Sequence, residues 1–215
     1  MSTRTTLIVT ILLSLGLALA GTLLAPRMTQ PYAIHWNAQG EADGAGGAFE
    51  ALYLLPVMIL GTAALILALP RLDPMRTARL NYPMLNSFVL LMALFLAYLH
   101  GLTLAWNLGY RFNMNQLLTP AMGLMFLYIG VLIEKAQPNW FVGIRTPWTL
   151  SNTQVWEKTH QLGGKLFKLS GLLALLGIVF PAAAIWLLLI PVLLASVVTI
   201  LYSYLVFRKI ERSIS

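Results

Sequence analysis

The sequence predicts an all-α, polytopic membrane helix bundle with six transmembrane helices and both termini cytoplasmic. Three observations carry that prediction. The chain is 59% hydrophobic and only 10% charged over 215 residues, against roughly 45–50% and about 25% in a soluble domain. Its mean hydropathy is +0.78. Its apolar residues fall into runs long enough to cross a hydrocarbon core, which takes about 20 helical residues. A soluble domain, a disordered chain and a coiled coil are excluded on composition. The absence of Cys removes thiol catalysis, thiolate metal sites and disulfides together.

The runs follow in order along one membrane domain, residues 1–215. Span one covers about Thr6 to Leu24, uncharged, between Arg4 and Pro26-Arg27. A signal peptide competes here, with Ala18-Leu19-Ala20 as a cleavage motif, but the apolar run continues to Ala25. A polar segment, 27–50, holds Gly40, Gly44, Gly46 and Gly47. Within it Tyr32, Ile34 and Trp36 alternate with Ala33, His35 and Asn37, the period of a short extended stretch before a turn. Span two covers Ala51 to Leu69, completing 1–70. Pro70 and Pro74 bracket a loop with Arg71, Asp73, Arg76 and Arg79. Spans three (Met84 to Trp106) and four (Leu118 to Ile133) occupy 84–133, joined by a polar hairpin containing Arg111. The segment 134–164 is the longest polar element. Residues 165–207 are too long and apolar for one crossing. Pro181 divides them into span five, Lys165 to Phe180, and span six, Ile185 to Phe207, in which Pro191 is placed to kink the helix.

Six spans put both termini on one side. With the N-terminus inside, twelve of the 14 Lys and Arg fall on inner segments, and Arg27 and Arg111 fall outside. That asymmetry is the positive-inside pattern. It also accounts for the net charge of +7 without nucleic acid, for which there is no basic run. Trp36, Trp106 and Trp186 belong to an outer aromatic belt, and Trp140, Trp148 and Trp156 to an inner one.

Two polar segments could carry chemistry. The outer one, Pro31 to Gly44, gathers His35, Asn37, Gln39, Glu41 and Asp43. Oxygen donors at alternate positions suit a hard cation, yet no full calcium loop is present, and a polar cap on the bundle competes. The inner one, Pro138 to His160, contains Ser151 and Gln154 at capping-box spacing, with Leu150 and Val155 placed as a hydrophobic staple, so a helix is expected from about Asn152. Val155, Trp156 and Thr159 share a face, with His160 beside Trp156. Gly143 and Pro147 bend the run around Arg145, whose planar fork suits phosphate, helix-end carbonyls, Glu134 or Glu157. Glu157 and His160 form Glu-x-x-His, but the first His of a zinc-protease helix is missing. No acidic or basic residue lies mid-span, which argues against a proton-coupled pump. His100, in span three, reads as a packing residue. No catalytic residue, cofactor or metal is assigned.

The inner segment NWFVGIRTPWTLSNTQVWEKTHQLGGKLF resembles the signature of the SdpI family, with Asn139, Trp140, Gly143, Arg145, Pro147, Trp148, Thr149, Trp156 and His160 in register. The outer IHWNAQGEADG is similar to a shorter motif of the same family, through His35, Trp36, Asn37, Gly40 and Asp43. Here it runs on into Gly-Ala-Gly-Gly, where the family leads one to expect a lysine. The resemblance implies a multi-pass protein of the bacterial or archaeal plasma membrane that confers immunity to a secreted antimicrobial peptide and recruits a cytoplasmic repressor. It places peptide contact at His35, Trp36, Asn37, Gly40, Glu41 and Asp43, and signalling at the inner signature. A small transporter or channel is the first alternative. The second is a metal-dependent membrane enzyme using His35, Glu41 and Asp43. No direct nucleic-acid contact is expected; the lipid bilayer is the one certain partner.

Overall fold

A computed structural model describes residues 1–72 and 82–214. The stretch with Asp73, Pro74, Arg76 and Arg79, and the Arg71 side chain, lie outside the described residues. Among the described residues the protein is all-α apart from one small hairpin. Six helices among the described residues are long and apolar enough to cross a membrane: Thr3–Arg27, Phe49–Pro70, Pro83–Asn107, Met114–Lys135, Thr153–Ile178 and Pro181–Ser213. Their cores are α1 (Thr3–Leu24), α2 (Leu54–Leu72), α3 (Tyr82–Asn107), α4 (Met114–Lys135), α6 (Thr153–Leu175) and α7 (Ala184–Ile214). A short α5 (Pro147–Ser151) precedes α6, and strands β1 (Tyr32–Trp36) and β2 (Ala42–Gly46) lie between α1 and α2. The chain forms two compact units, one of Met1–Ala68 with Tyr82–Leu118, the other built chiefly from 119–214.

In the first unit, α1 packs on α3, and its polarity is inverted relative to a soluble helix. Its buried residues are Thr6, Thr10, Ser14 and Gly21, at near-four-residue spacing. Leu12, Leu15, Leu19 and Leu23 are each about 60% exposed or more. This is the arrangement lipid favours. Leucine gains nothing by leaving hydrocarbon, while small and hydroxylated residues let helices approach and bond. Thr10 donates to the Thr6 carbonyl at 2.6 Å and Ser14 to the Pro56 carbonyl at 2.8 Å. An apolar cluster of Ile59, Ala93 and Leu96 fills the centre, and His100 is fully buried in α3.

In the second unit, α4 and α6 cross where glycines meet. A Cβ on Gly171 would lie 2.5 Å from the Gly123 carbonyl oxygen, and one on Gly164 would lie 2.6 Å from that of Gly130. Beside this crossing Lys168 pairs with Glu134 at 2.7 Å. Span five therefore begins earlier than the expected Lys165: the inner polar helix and the span are one continuous helix from Thr153. Gly163, Gly164 and Gly171 lie within it as contact residues.

The structure also shifts a helix cap by one residue. Asn152, extended at φ −144°, caps α6 and accepts from the Gln154 and Val155 amides. Ser151 instead ends α5, its hydroxyl donating to the Trp148 carbonyl at 3.1 Å. With Asn152 as cap, Leu150 and Val155 are no longer at staple positions. The capping box lies upstream, in α5, where Thr146 and Thr149 cap each other reciprocally.

Candidate functional site

Each unit carries a polar cap held largely by side-chain bonds to backbone groups. In the first, β1 and β2 pair antiparallel, with Tyr32 opposite Gly46, Ala33 opposite Ala45, His35 opposite Gly44 and Trp36 opposite Ala42. The connecting turn is made by two of the candidate residues. The Asn37 side-chain oxygen accepts the Gln39 amide at 2.9 Å and the Glu41 amide at 3.0 Å. Gly40 adopts φ +81°, a left-handed conformation that costs glycine little, and the Asn113 side chain fills the place of its absent Cβ.

Three asparagines from the α3–α4 connection region dock this hairpin, and sequence reading missed all three. Asn107 accepts from the Ala33 amide at 2.8 Å and donates to the Ala33 carbonyl at 3.0 Å. Asn113 donates to the Gln39 carbonyl at 2.8 Å. Asn115 donates to the carbonyls of Asn37 at 3.1 Å and Ala38 at 2.7 Å. Each replaces water on a strand-edge or turn group that would otherwise be left bare.

Of the remaining candidates of this cap, His35, Glu41 and Asp43 face outward and Trp36 packs inward. His35 Nδ1 and Asp43 Oδ1 approach to 2.6 Å across the strands, both exposed. Glu41 lies on the exposed turn, its carboxylate 3.4 Å from the Asn37 amide nitrogen. Among the described residues, no three His, Asp or Glu side chains are grouped to hold a metal ion. Trp36 meets Trp106 edge-to-face at 5.8 Å, and Arg111 lies 5.0 Å over the Trp106 ring. Beneath the hairpin is a cleft of about 330 Å³, walled by Ile34, Trp36, Glu50, Leu99 and Asn115 among others. The Trp36 indole N–H is buried and finds no acceptor among the described residues.

The second cap is the lid, residues 136–152. Asn139, 1% exposed, knits its start. Its oxygen accepts the Phe141 and Val142 amides at 2.8 and 2.6 Å, and its nitrogen donates to the Gln137 and Val142 carbonyls at 2.7 and 2.9 Å. Gly143 follows at φ +125°. His160, on the second turn of α6, is the hub. Its Nε2 accepts the Ile144 amide at 2.9 Å, so the neutral ring carries its proton on Nδ1 and donates to the Trp156 carbonyl at 2.8 Å. The ring stacks on Trp156 with centroids 3.9 Å apart.

Trp156 donates to the Ala136 carbonyl at 2.8 Å and is 1% exposed. It is therefore a packing residue, not part of an interfacial belt; Trp140, 46% exposed, and Trp186, 55% exposed, suit such a belt. Pro147 opens α5, and Thr149 adds a bond to the Ile144 carbonyl at 2.8 Å. Trp148 packs on Tyr204 at 5.1 Å. Arg145 is exposed, and its Nη1 donates to the Trp140 carbonyl. Of the partners open to it in the sequence, Glu134 is taken by Lys168. The acceptor is a carbonyl in the lid's own bend, not at a helix end.

Comparison with known proteins bears on both caps. Residues 135–203, which include the whole lid, match the model of the SdpI/YfhL protein family. Residues 10–60, which include the hairpin, match a domain of unknown function, DUF1648. Over 112 residues the chain is 30% identical to "Immunity protein SdpI" of Bacillus subtilis (strain 168), a match covering 52% of this chain and 54% of that relative. The match thus spans about half the relative's length. No solved structure matches.

Proposed function

We propose that this chain, a multi-pass plasma-membrane protein of the SdpI family, protects its host from a secreted membrane-active peptide by binding it without degrading it. The observation that carries the reading is the similarity to an immunity protein over half the chain. The hairpin cap supports it as the contact face. Its exposed His35, Glu41 and Asp43 stand on a turn fixed by Asn37, Gly40 and the three docking asparagines. A rigidly held polar surface loses little entropy on binding.

On this reading the hairpin faces outward, and both termini and the lid are cytoplasmic, a topology that the Lys and Arg distribution supports. The lid is then the surface presented to a cytoplasmic repressor.

Expression in a sensitive bacterium tests the proposal. The challenge is each small secreted peptide encoded beside the gene. Protection that rises with expression level and saturates at high peptide dose, with intact peptide recovered from the medium, is the expected result. Cleaved peptide recovered only from expressing cells would replace binding by enzymatic turnover. Absence of protection against every such peptide would favour transport.

A further inference from the structure

The second unit contains a cleft of about 530 Å³ between the lid and helices α6 and α7, within the size range of small-ligand sites. The lid lines it with Gly143, Ile144, Arg145 and Trp148. The helices line it with Phe167, Ser196, Thr199 and Ile200. Its chemistry is divided: a guanidinium on the lid side, and chiefly aromatic, aliphatic and hydroxyl groups on the helix side.

Three features identify what this cleft would hold. The first is depth. Ile200 lies eight residues before Arg208 on α7, and Ser196 twelve, so the floor lies about 12 to 18 Å along the helix from its charged end. The floor therefore lies in the apolar stretch of α7, short of its charged end. The second is access. Ile200 lines the cleft and is 48% exposed, and its neighbours Val197 and Leu201 are 54% and 58% exposed. The cleft therefore opens onto the surface of α7 that faces lipid tails. The third is charge. Arg145 engages one carbonyl, while the ion pairs among the described residues are His35–Asp43 and Lys168–Glu134. Among the described residues no carboxylate pairs with the Arg145 cation, and its fork is the donor geometry that phosphate accepts.

We propose that this cleft is a binding site for an anionic phospholipid, with its phosphate on Arg145 and an acyl chain running down past Phe167, Thr199 and Ile200. A free phosphate would satisfy Arg145 but leave the apolar floor unused. An anionic lipid suits both ends of the cleft, and its headgroup would bridge the lid to the membrane surface through Arg145. The site is independent of whether the chain confers immunity.

The test uses the full chain in nanodiscs of phosphatidylcholine with one-fifth phosphatidylglycerol, followed by extraction into mild detergent and quantification of retained lipid by mass spectrometry. Wild-type protein is expected to retain phosphatidylglycerol and phosphatidylcholine in a ratio about tenfold above that of the disc, the scale of a charge-assisted hydrogen bond. Arg145→Gln should return retention to the bulk ratio. Ser196→Leu, which fills the floor and leaves Arg145 in place, should do the same. Should Arg145→Gln fail to fold, Ser196→Leu decides alone. Neutralising Arg208, Lys209 and Arg212 together should leave the enrichment unchanged. The proposal is overturned if Ser196→Leu retains phosphatidylglycerol as the wild type does, or if the α7 variant loses it. It also fails if inorganic phosphate raises the thermal stability of lipid-depleted protein as much as phosphatidylglycerol does.

Discussion

His160 holds the lid shut, and its removal should open the lid locally while leaving the first unit intact. Three losses follow from His160→Ala. The partly buried Ile144 amide loses its acceptor, at about 1–3 kcal/mol for an orphaned donor. The stack on Trp156 disappears, at about 1 kcal/mol beyond burial. A ring that is 1% exposed leaves a cavity, and because imidazole is smaller than phenyl, about 2 kcal/mol is a fair share of the 3–5 measured for Phe→Ala. These terms overlap, since a water entering the cavity would rejoin the Ile144 amide, so the total is about 4 kcal/mol. At about 1.4 kcal/mol per tenfold, lid opening should become roughly a thousandfold more frequent. Amide hydrogen exchange followed by mass spectrometry on protein in nanodiscs reads this directly. Peptides covering 139–152 should lose protection, and peptides from α1 and α3 should not. His160→Phe keeps a stacking ring and leaves no cavity, so it should cost about half as much. Gly143→Ala should rival His160→Ala, because its Cβ would lie 2.3 Å from Nε2 on a backbone at φ +125°, itself worth about 1–3 kcal/mol of strain. A change below threefold in lid exchange for His160→Ala would refute the hub role.

Two further outcomes are expected. Asn107→Ala removes both bonds to Ala33, about 2 kcal/mol in total, so limited proteolysis within 37–41 should accelerate while α3 stays folded; Asn107→Asp, which keeps the acceptor, should recover about half of the loss. Cys introduced at Asn152 should resist a membrane-impermeant maleimide on intact cells and Cys at Gln39 should react, each read cleanly because the chain has no native Cys; the reverse pattern would invert the topology.

The six spans were legible because hydrocarbon demands long uncharged runs, and nothing else in the chain has that pattern. The bend at Gly143 and the pairing of Trp156 with His160 were legible because both are local. What escaped has partners far away in sequence. Asn107, Asn113 and Asn115 bond to residues 74 to 78 positions distant, and no local pattern marks an asparagine for such a role. Strand β2, Ala42–Gly46, contains no β-branched or aromatic residue. It exists because β1 lies beside it, and its glycines are where neighbours press closest: a Cβ on Gly44 would meet His35 at 2.7 Å. Lys165 and Lys168 read as boundary charges, but α6 runs through both. Lys168 is tolerated there because Glu134 meets it at the glycine crossing, the pairing that an ionisable residue in a membrane helix requires. Capping was legible in kind and wrong in register, since Ser151 and Asn152 are both good caps and the backbone chose the second.

The geometry also divides the candidate residues by what they have left to offer a partner. Asn37 and Gly40 make the turn, Asn139 makes the lid's first bend, and Thr149 and His160 tie the lid to itself and to α6. Their polar groups are engaged within the fold, so replacing them would weaken a partner's binding indirectly, by loosening a cap. His35, Glu41 and Asp43 in the hairpin, and Arg145 in the lid, are exposed and keep donors or acceptors facing away from the protein. On the proposed reading the two groups separate experimentally. Variants of the first should lose protection together with exchange protection or stability. Variants of His35, Glu41 and Asp43 should lose protection while the protein remains as stable as wild type. A signature motif mixes both kinds without distinction, because fold and contact constrain the same short segment. The hydrogen-bond geometry is what sorts them, and it assigns most of the inner signature to holding the lid and leaves Arg145 as its exposed charge.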